Sequence, residues 1–460
     1  MQKSVSIKLA IIAFVTLFLL IPLNMISGKI NERSQFLEEA KTSVSQSWTG
    51  SQTLMSALIV IPYEVNQTVT MVNKTTKEKT LHINKISRQK FIIPDKINIT
   101  STIINDVRLK GIYKVPVYTT SLDISGGILQ STLQEALSVI KKEAKGGKIG
   151  APYLTTTVSD PRGINSIPTL QWQDQKIPFK PGSKLPENNN GLHAYLPSLE
   201  LNTPAPVTFN FQLELRGMEA ISFIPVGKEA EVSTSSAWPH PQFIGSFLPV
   251  SRNINEDGYQ ATWKITSFAS NISEKIYECE NGACDSLFNS HFGVKHIEAV
   301  DVYLQSERSV KYGMLFIGLS FITFFIFEVI MKLPIHPIQY TLVGFAIAIF
   351  YLLLISLSEH INFLLAYGIA SICCTSLLLS YLRYVLAGYK QALGFSGLLL
   401  ILYAVLYVII SAEDLALVMG AFLTFISLAI VMFATRNIDW YTVGEQLNDK
   451  QDELQSDHKE

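Results

Sequence analysis

The stretch "FYLLLISLSEHINFLLAYG", from Phe350 to Gly368, decides the fold class. It is apolar on both sides of a polar centre that runs from Ser358 to Asn362. An α-helix needs about 20 apolar residues to cross the hydrocarbon core of a bilayer. The two halves, with their neighbours, therefore predict two membrane spans joined by a short turn, and the turn is expected at the membrane surface because its backbone cannot be satisfied in lipid.

Composition supports a membrane protein. The chain has 460 residues, of which 48% are hydrophobic and 16% are charged, whereas soluble domains contain about 25% charged residues. The formal net charge is -1, and no long cluster of lysine or arginine occurs. A basic surface for nucleic-acid phosphates is therefore not expected, and the lipid bilayer is the first partner that the sequence indicates.

Six apolar runs are long enough to cross a membrane. They are Leu9 to Ile26, Tyr312 to Met331, Ile338 to Leu357, Phe363 to Leu382, Ala392 to Ser411 and Leu415 to Ala434. The first run follows Lys3 and Lys8, as in a signal peptide, but it is longer than the usual apolar core and no small-x-small cleavage site follows it. We therefore expect an uncleaved anchor.

Charges in the short loops predict the orientation, because cytoplasmic loops retain lysine and arginine. The basic residues of these loops all fall on one side of a six-span arrangement: Lys332, Arg383, Lys390 and Arg436. The opposite loops carry Glu359-His360 and Glu413-Asp414, without a basic residue. Both termini are then cytoplasmic. The predicted divisions are 1–26 for the N-terminus and anchor, 27–311 for an outer domain, 312–434 for a five-helix bundle and 435–460 for an acidic cytoplasmic tail.

The outer domain has the pattern of β-strands. From Val207 to Arg216, "VTFNFQLELR" alternates apolar and polar residues, which is typical of a half-buried strand. Gly217 and the apolar run from Ile221 to Val226 predict a hairpin or meander there, and "YEVNQTVTMV" with "EKTLHINKI" predicts another. A helical stripe that includes Leu133 and Ile140 adds one helix. We expect an antiparallel-rich α+β domain.

The segment after the first span, "KINERSQFLEEAKTSVSQSW", has a helical stripe of its own. The anchor helix is therefore predicted to continue outward. Its stripe would pack on the outer domain or, alternatively, on a second subunit. The sequence does not determine the oligomeric state.

Glu359 and His360 allow two interpretations. A polar turn at a membrane surface needs no further purpose, and we expect this pair to form an outer hairpin. The alternative is a binding site, since an acid beside an imidazole could relay a proton or coordinate a cation.

Glu328 lies inside "FITFFIFEVIMK", where an ionisable group is costly and suggests function. Lys332 follows four residues later, so an ion pair between them at the cytoplasmic boundary is the expected explanation. No opposite charge inside another span is evident from the sequence.

Four cysteines divide into two pairs. Cys279 and Cys284 lie in the outer domain, where an oxidising compartment favours a disulfide. Zinc binding with His291 and His296 is an alternative, and free thiols are another, but the six residues between Cys284 and His291 are fewer than zinc fingers use. Cys373 and Cys374 lie in a predicted span and are expected to pack.

Catalytic signatures such as HExxH, GxSxG and GxxxxGK[ST] do not occur. We therefore expect no catalytic residues, no cofactor and no metal site. "WPHP" holds His240 between two prolines, which predicts a rigid turn. The alternative is that Trp238 and His240 contact a ligand.

Several segments together resemble the CreD family of bacterial inner-membrane proteins. They are Trp238-Pro239-His240-Pro241, Gly245 to Val250, "SERSVKYGMLFIGLSFITFFIFEV" from Ser306, "HPIQY" from His336 and "ISLSEH" from Ile355. The resemblance covers almost the whole chain. It implies a multi-pass protein of the inner membrane with six transmembrane α-helices and a large periplasmic β-rich α+β domain.

The resemblance also implies a link to cell envelope integrity or the envelope stress response, without a defined reaction. The expected function is a non-catalytic protein whose periplasmic domain binds an envelope partner. A proton- or cation-coupled transporter is the alternative, and a membrane-bound hydrolase is a third hypothesis.

Overall fold

A computed structural model of the chain describes residues 2–72, 79–144, 147–197, 206–297, 302–331, 335–386, 388–412 and 416–436. Two compact units divide these residues. The first unit comprises Met1–Glu38 and Val300–Glu460, and the second comprises Glu39–Ala299. Lys332, the Glu413-Asp414 loop and nearly all of the tail lie outside the described residues.

The helices follow the apolar runs of the sequence closely. In chain order they are α1 (Gln2–Phe18), α2 (Leu20–Ser47), α3 (Gln130–Ala144), α4 (Ser267–Ser270), α5 (Ile272–Glu280), α6 (Asp285–Phe288), α7 (Val302–Lys311), α8 (Gly313–Met331), α9 (Pro337–Ser358), α10 (Phe363–Val385), α11 (Tyr389–Ser411) and α12 (Ala416–Thr435).

The six-span architecture is confirmed. Five of the described helical segments are long and apolar enough to cross a membrane, namely Ala10–Ser47, which combines parts of α1 and α2, and the helices α8 to α11; α12 adds a shorter apolar stretch, Val418–Phe433. The first span is divided between α1 and α2 at Leu19. Pro22 explains this break, because it has no N–H for the carbonyl of Phe18 and its ring would collide with that carbonyl. As predicted, the helix then continues beyond the span, to Ser47.

The first span buries one narrow stripe of side chains. Val15, Leu19, Leu23, Ile26 and Ile30 recur every three or four residues and are all buried, which is the spacing of a single helical face. Neighbouring apolar side chains of the same helix are largely exposed, as expected of a surface that faces lipid: Phe14, Leu17, Ile21 and Met25.

Gly344 of α9 allows the first span to approach closely. A Cβ atom at this position would lie 2.1 Å from Cδ1 of Leu19 and 2.8 Å from Cζ of Phe321. Dispersion contacts and close packing, rather than the hydrophobic effect, hold helices together in lipid, so small residues favour such approaches. The N-terminal helix is therefore packed into the bundle of the first unit.

The second unit contains seventeen described strands. They are β1 (Gln52–Met55), β2 (Leu58–Val72), β3 (Lys79–Ile92), β4 (Lys96–Lys110), β5 (Tyr113–Ile128), β6 (Tyr153–Thr157), β7 (Thr169–Trp172), β8 (Gln175–Pro178), β9 (Lys180–Pro181), β10 (Gly191–Tyr195), β11 (Val207–Met218), β12 (Ala220–Ile224), β13 (Glu229–Ser236), β14 (Pro241–Gly245), β15 (Ser251–Asn255), β16 (Gly258–Thr266) and β17 (Phe292–His296).

The strands form three sheets. An eight-stranded sheet has the order β15-β16-β13-β4-β5-β11-β7-β8, a five-stranded sheet β3-β2-β6-β10-β9 and a four-stranded sheet β1-β12-β17-β14. Most pairs are antiparallel, with β13·β4 and β1·β12 parallel. One apolar cluster joins the three sheets and α3, and includes Ile59, Ile99, Leu133, Phe211 and Phe223. The predicted α+β class is confirmed.

Individual strand predictions had different outcomes. Alternation places Val207, Phe209 and Phe211 in the core along β11, as predicted. The hairpin between β2 and β3 is also present, in antiparallel register. The prediction of a hairpin after Gly217 was wrong. β12 does not pair with β11 but lies in the four-stranded sheet between β1 and β17. The chain turns there at Glu219, which adopts a positive φ of 61°.

Cys279 and Cys284 form a disulfide. Cys279 lies in the last turn of α5 and Cys284 precedes α6, and both side chains are fully buried beside Ile272 and Ile276. Gly282 has a φ of +88°, a conformation that glycine adopts without a steric penalty. The tight turn between the cysteines depends on it.

Replacing both bridged cysteines by alanine should loosen this turn without unfolding the unit, because a loop this short contributes only about 2 kcal/mol on the chain-entropy account. Intact-mass alkylation of the denatured parent should add two labels before reduction, on Cys373 and Cys374, and four after it. Four labels before reduction would contradict the bridge, and labelling that depends on a chelator would indicate bound zinc instead.

Candidate functional site: charged pairs at both ends of the first membrane helix

Glu328 is a buried acid that binds three donors within the first unit. Its side chain is 1% exposed and forms an ion pair with Nζ of Lys8. The hydroxyl of Tyr340 donates to Oε2 at 2.6 Å, and the backbone N–H of Ile335 donates to Oε1 at 3.3 Å. A buried carboxylate is stable only when its charge and lone pairs are satisfied. Here one cation and two neutral donors meet that requirement.

The segment "HPIQY" holds Tyr340 and Ile335 at this carboxylate. His336 caps α9: its Nδ1 accepts the N–H of Ile338 at 3.3 Å, and Oε1 of Gln339 accepts the N–H of His336 at 3.0 Å. Pro337 occupies the first helical turn, where its missing N–H costs nothing. The rings of Phe321 and Phe324 enclose Tyr340, with centroids 5.7 and 4.8 Å from its own. The cap and the aromatic contacts therefore orient its hydroxyl.

Glu359 is the corresponding acid at the other end of the bundle. Its side chain is 10% exposed, and its Oε1 lies 3.4 Å from Nε of Arg33. The hydroxyl of Tyr303 also approaches Oε1, at 3.4 Å. A turn that only connects two helices would not require a partner from α2 and another from α7. Glu359 thus joins the end of α9 to two other helices of the first unit.

The two ion pairs lie on either side of the first span, that of Lys8 on α1 and that of Arg33 on α2. Lys8 and Arg33 are 25 residues apart, which corresponds to about 38 Å of α-helix. A bilayer is about 30 Å thick across its hydrocarbon core and about 40–45 Å with its headgroups. Each pair is therefore placed near one membrane interface, and the first span is fastened to the bundle at both of its ends.

The partner predicted for Glu328 was Lys332, which lies outside the described residues, so that pair stays a prediction. Among the described residues, the cation that contacts Glu328 is Lys8, 320 positions away. The sequence contained a usable signal, since Lys8 begins the first span on the side where loop charges place Glu328. Sequence spacing alone favoured the local partner because an i, i+4 pair is always available on a helix.

Glu359 and His360 are adjacent in sequence but differ in their surroundings. A turn follows α9, and Asn362 then caps α10 by accepting the N–H of Leu365 at 2.9 Å. His360 is exposed, with its backbone N–H bonded to Leu357. The hairpin turn is present as expected, while its Glu359 forms the ion pair described above. Whether either residue binds a proton or a cation stays a prediction.

Trp238 and His240 lie in the second unit. The indole N–H of Trp238 donates to the carbonyl of Ile297 at 2.8 Å, and the N–H of Ile297 donates to the carbonyl of His240 at 3.2 Å. These bonds make a rigid connection between the segment after β13 and the end of β17. The imidazole of His240 is exposed. Binding of a ligand by either side chain stays a prediction.

His296 lies at the centre of a buried cluster. The sequence had indicated it only as an alternative zinc ligand. The hydroxyl of Tyr259 lies 3.0 Å from its Nε2, the amide of Asn105 lies 3.3 Å from its Nδ1, and the ring of Trp238 is 6.0 Å away. Burial lowers the pKa of His296 to about 4, so its imidazole is neutral at neutral pH. Both nitrogens are engaged, and the sulfurs of Cys279 and Cys284 are bonded to each other. The described residues therefore do not form the alternative zinc site.

The ion pair between Lys8 and Glu328 can be tested by a double-mutant cycle in detergent. Lys8→Met should lower the free energy of unfolding by about 2 kcal/mol, below the roughly 3–5 kcal/mol of fully buried pairs because Lys8 is 18% exposed. The double variant Lys8→Met/Glu328→Gln should recover part of this loss, because no buried charge is left without a partner. Unfolding of the purified protein by SDS in mixed micelles measures both.

Lys29→Met is the matched control on the same helix. Lys29 pairs with Glu32 at 2.6 Å, but both side chains are largely exposed, and exposed pairs contribute about 0–1 kcal/mol. Equal effects of Lys8→Met and Lys29→Met, or strictly additive effects in the cycle, would show that the buried pair does not hold the first span.

Comparison with known proteins relates this arrangement to one family. The family model described as "Inner membrane protein CreD" matches residues 4–441. The chain is also 33% identical to Inner membrane protein CreD of Escherichia coli (strain K12) over 425 residues, which is 92% of this chain and 91% of that protein.

Crystal structures of a different protein match only part of the chain. Crystal structures of an M1 zinc metallopeptidase from Deinococcus radiodurans, with and without a bound Tyr-Ser-Ala substrate, match 37% of this chain and 38% of theirs at 9% identity. Their TM-scores of 0.18 and 0.17 are too low to relate the folds. The sequence relationship covers both units and all the segments that hold Glu328, Tyr340 and Glu359, and this chain belongs to the CreD family of inner membrane proteins.

Proposed function

We propose that this inner-membrane protein supports the integrity of the cell envelope without catalysing a reaction, and that its β-rich unit lies in the periplasm and binds an envelope partner there. The observation that carries the proposal is an open edge of the eight-stranded sheet. β15 is the last strand on that side, no described strand pairs with its outer edge, and all five of its residues are exposed.

Exposed apolar side chains surround this edge. Leu248 is 71% exposed, Val250 is 65% exposed and Ile254 is 45% exposed. The loop before β15 is held in place, because the indole of Trp263 donates to the carbonyl of Phe247 at 3.1 Å. A fixed edge with free backbone groups and apolar side chains can accept a strand from another protein, since the backbone bonds supply affinity and the side chains supply specificity.

Orientation of the β-rich unit toward the periplasm follows from the loop charges. Arg383, at the end of α10, marks that end as cytoplasmic, and the opposite end of the same helix follows the turn with His360. The two ion pairs support the same arrangement, because they group Lys8 with Glu328 at one interface and Arg33 with Glu359 at the other. Both termini are then cytoplasmic.

Two single-cysteine variants test this orientation in a background without Cys373 and Cys374. His360→Cys should react with a membrane-impermeant maleimide in intact spheroplasts, and Tyr384→Cys, 80% exposed at the other end of α10, should react only after lysis. Mass spectrometry of the purified variants measures the labelled fraction. Reaction of Tyr384→Cys before lysis would contradict the proposed orientation.

The open edge is tested by placing charges on it. A strain that carries Leu248→Glu with Val250→Glu should become as sensitive to detergent as a strain without the protein, because a partner strand would have to bury two carboxylates. The control is Ile167→Glu, a change at an apolar residue that is 90% exposed elsewhere in the same unit. Immunoblots verify equal abundance, and parental resistance of the double variant would contradict a role for this edge.

A proton- or cation-coupled transporter is the second candidate. The buried contact of Lys8, Glu328 and Tyr340 favours it, because ionisable groups inside a helical bundle are typical of transport pathways. In that case Glu328→Gln would abolish the envelope phenotype at normal abundance and stability, whereas a structural ion pair predicts that phenotype and stability change together.

A further inference from the structure

The end of the β4–β5 hairpin, residues 104–114, projects past its neighbours and is called the hairpin tip. β13 pairs with β4 only as far as Ser236 and Ile103. On the other side, β11 ends opposite Val117. Within the described strands, the β4 side of the hairpin tip therefore has no neighbouring strand, and Asn105 at its base keeps side-chain contacts with Ser236 and His296. β4 and β5 continue to pair as far as Lys110 and Tyr113.

The apolar pattern of β4 continues into the hairpin tip although the core does not. Ile99 and Ile103 are buried, whereas Val107 and Leu109 occupy the same face of the strand and are 47% and 72% exposed. Ile112, in the turn, is 47% exposed, and Ile104 on the opposite face is 68% exposed. Clustered apolar side chains on a protein surface indicate a site that binds another protein or a membrane.

The hairpin tip has a net positive charge, because Asp106 is its one acid against Arg108, Lys110 and Lys114. Lys110 and Lys114 are exposed, and among the described residues neither forms an ion pair. Arg108, in contrast, has partners: its guanidinium lies 3.6 Å from Asp106 and 4.4 Å from the centre of a Trp48 ring. Two free ammonium groups therefore flank the apolar side chains of the turn.

We propose that the hairpin tip binds the surface of an anionic lipid bilayer, with Leu109 and Ile112 inserted at the boundary of headgroups and acyl chains. The lysines favour lipid over a protein partner. Lysine is depleted from the core of protein interfaces, whereas at a membrane its apolar stem can lie beside the inserted side chains while the ammonium group contacts phosphates.

A bilayer is always within the reach of this chain. The membrane spans tether the β-rich unit, so that contact with lipid is an intramolecular step with a high effective concentration. Weak insertion by two apolar side chains is then sufficient. This surface is separate from the edge of β15, and the proposal does not depend on the partner proposed for that edge.

An environment-sensitive fluorophore at Ile112 tests the proposal in the full chain. Ile112→Cys, in a background without Cys373 and Cys374, is labelled with NBD and reconstituted in nanodiscs of phosphatidylcholine with phosphatidylglycerol. The emission should shift to shorter wavelength and should be quenched by lipids that carry a doxyl group. Changing Lys110 and Lys114 to glutamine should weaken insertion. The ratio of inserted to free probe should fall by about fivefold for each lysine that is replaced.

The same label at Ile167, which is 90% exposed, is the control for a probe in water. Ile112 lies in an exposed turn, and circular dichroism of both labelled proteins should match the parent, so that loss of structure is recognised. An Ile112 probe that is no more quenched than the Ile167 probe would overturn the proposal. A shift to shorter wavelength without quenching by lipid would also overturn it, because it would indicate contact with protein.

Discussion

A charge at the edge of a membrane bundle needs a partner, and the first unit meets this requirement by pairing two acids of the bundle with two cations of one helix. Glu328 with Lys8 and Glu359 with Arg33 define where the N-terminal helix begins and ends its contact with the bundle. The apolar stripe between them supplies packing but little register, since leucine and valine contacts tolerate a shift along the helix. We expect the ion pairs to fix the register, because a buried charge that loses its partner is strongly destabilising.

Three of the segments by which the chain resembles its family belong to the polar framework of this bundle. "FFIFEV" contains Glu328, "HPIQY" contains Tyr340 and the cap of α9, and "ISLSEH" contains Glu359. Helix ends at a membrane interface must satisfy backbone groups that no lipid can bind, and His336 and Asn362 do this for α9 and α10.

The β-rich unit is organised differently, around one apolar cluster shared by three sheets and α3. Its polar interior is small, and the neutral His296 with Tyr259 and Asn105 is its clearest example. Two groups of exposed apolar side chains lie where sheets stop: at the edge strand β15 and at the hairpin tip. Both places follow from strand lengths, because β4 is longer than its neighbour β13 and no described strand follows β15.

The sequence by itself determined the membrane class, the six spans and the strand alternation of β11. It also favoured a disulfide between Cys279 and Cys284 over the other possibilities. These features depend on local quantities, namely the length of an apolar run, its period and the distance between two cysteines. The partner of Glu328, the position of β12 and the surroundings of His296 were decided only by the tertiary structure. Each of them joins residues far apart in the chain, and local periodicity contains no information about which distant helix or strand supplies the neighbour. Lys332 is the nearest cation in sequence but lies outside the described residues; within them, Lys8 is the cation that the packing of the first span at Gly344 brings to the carboxylate.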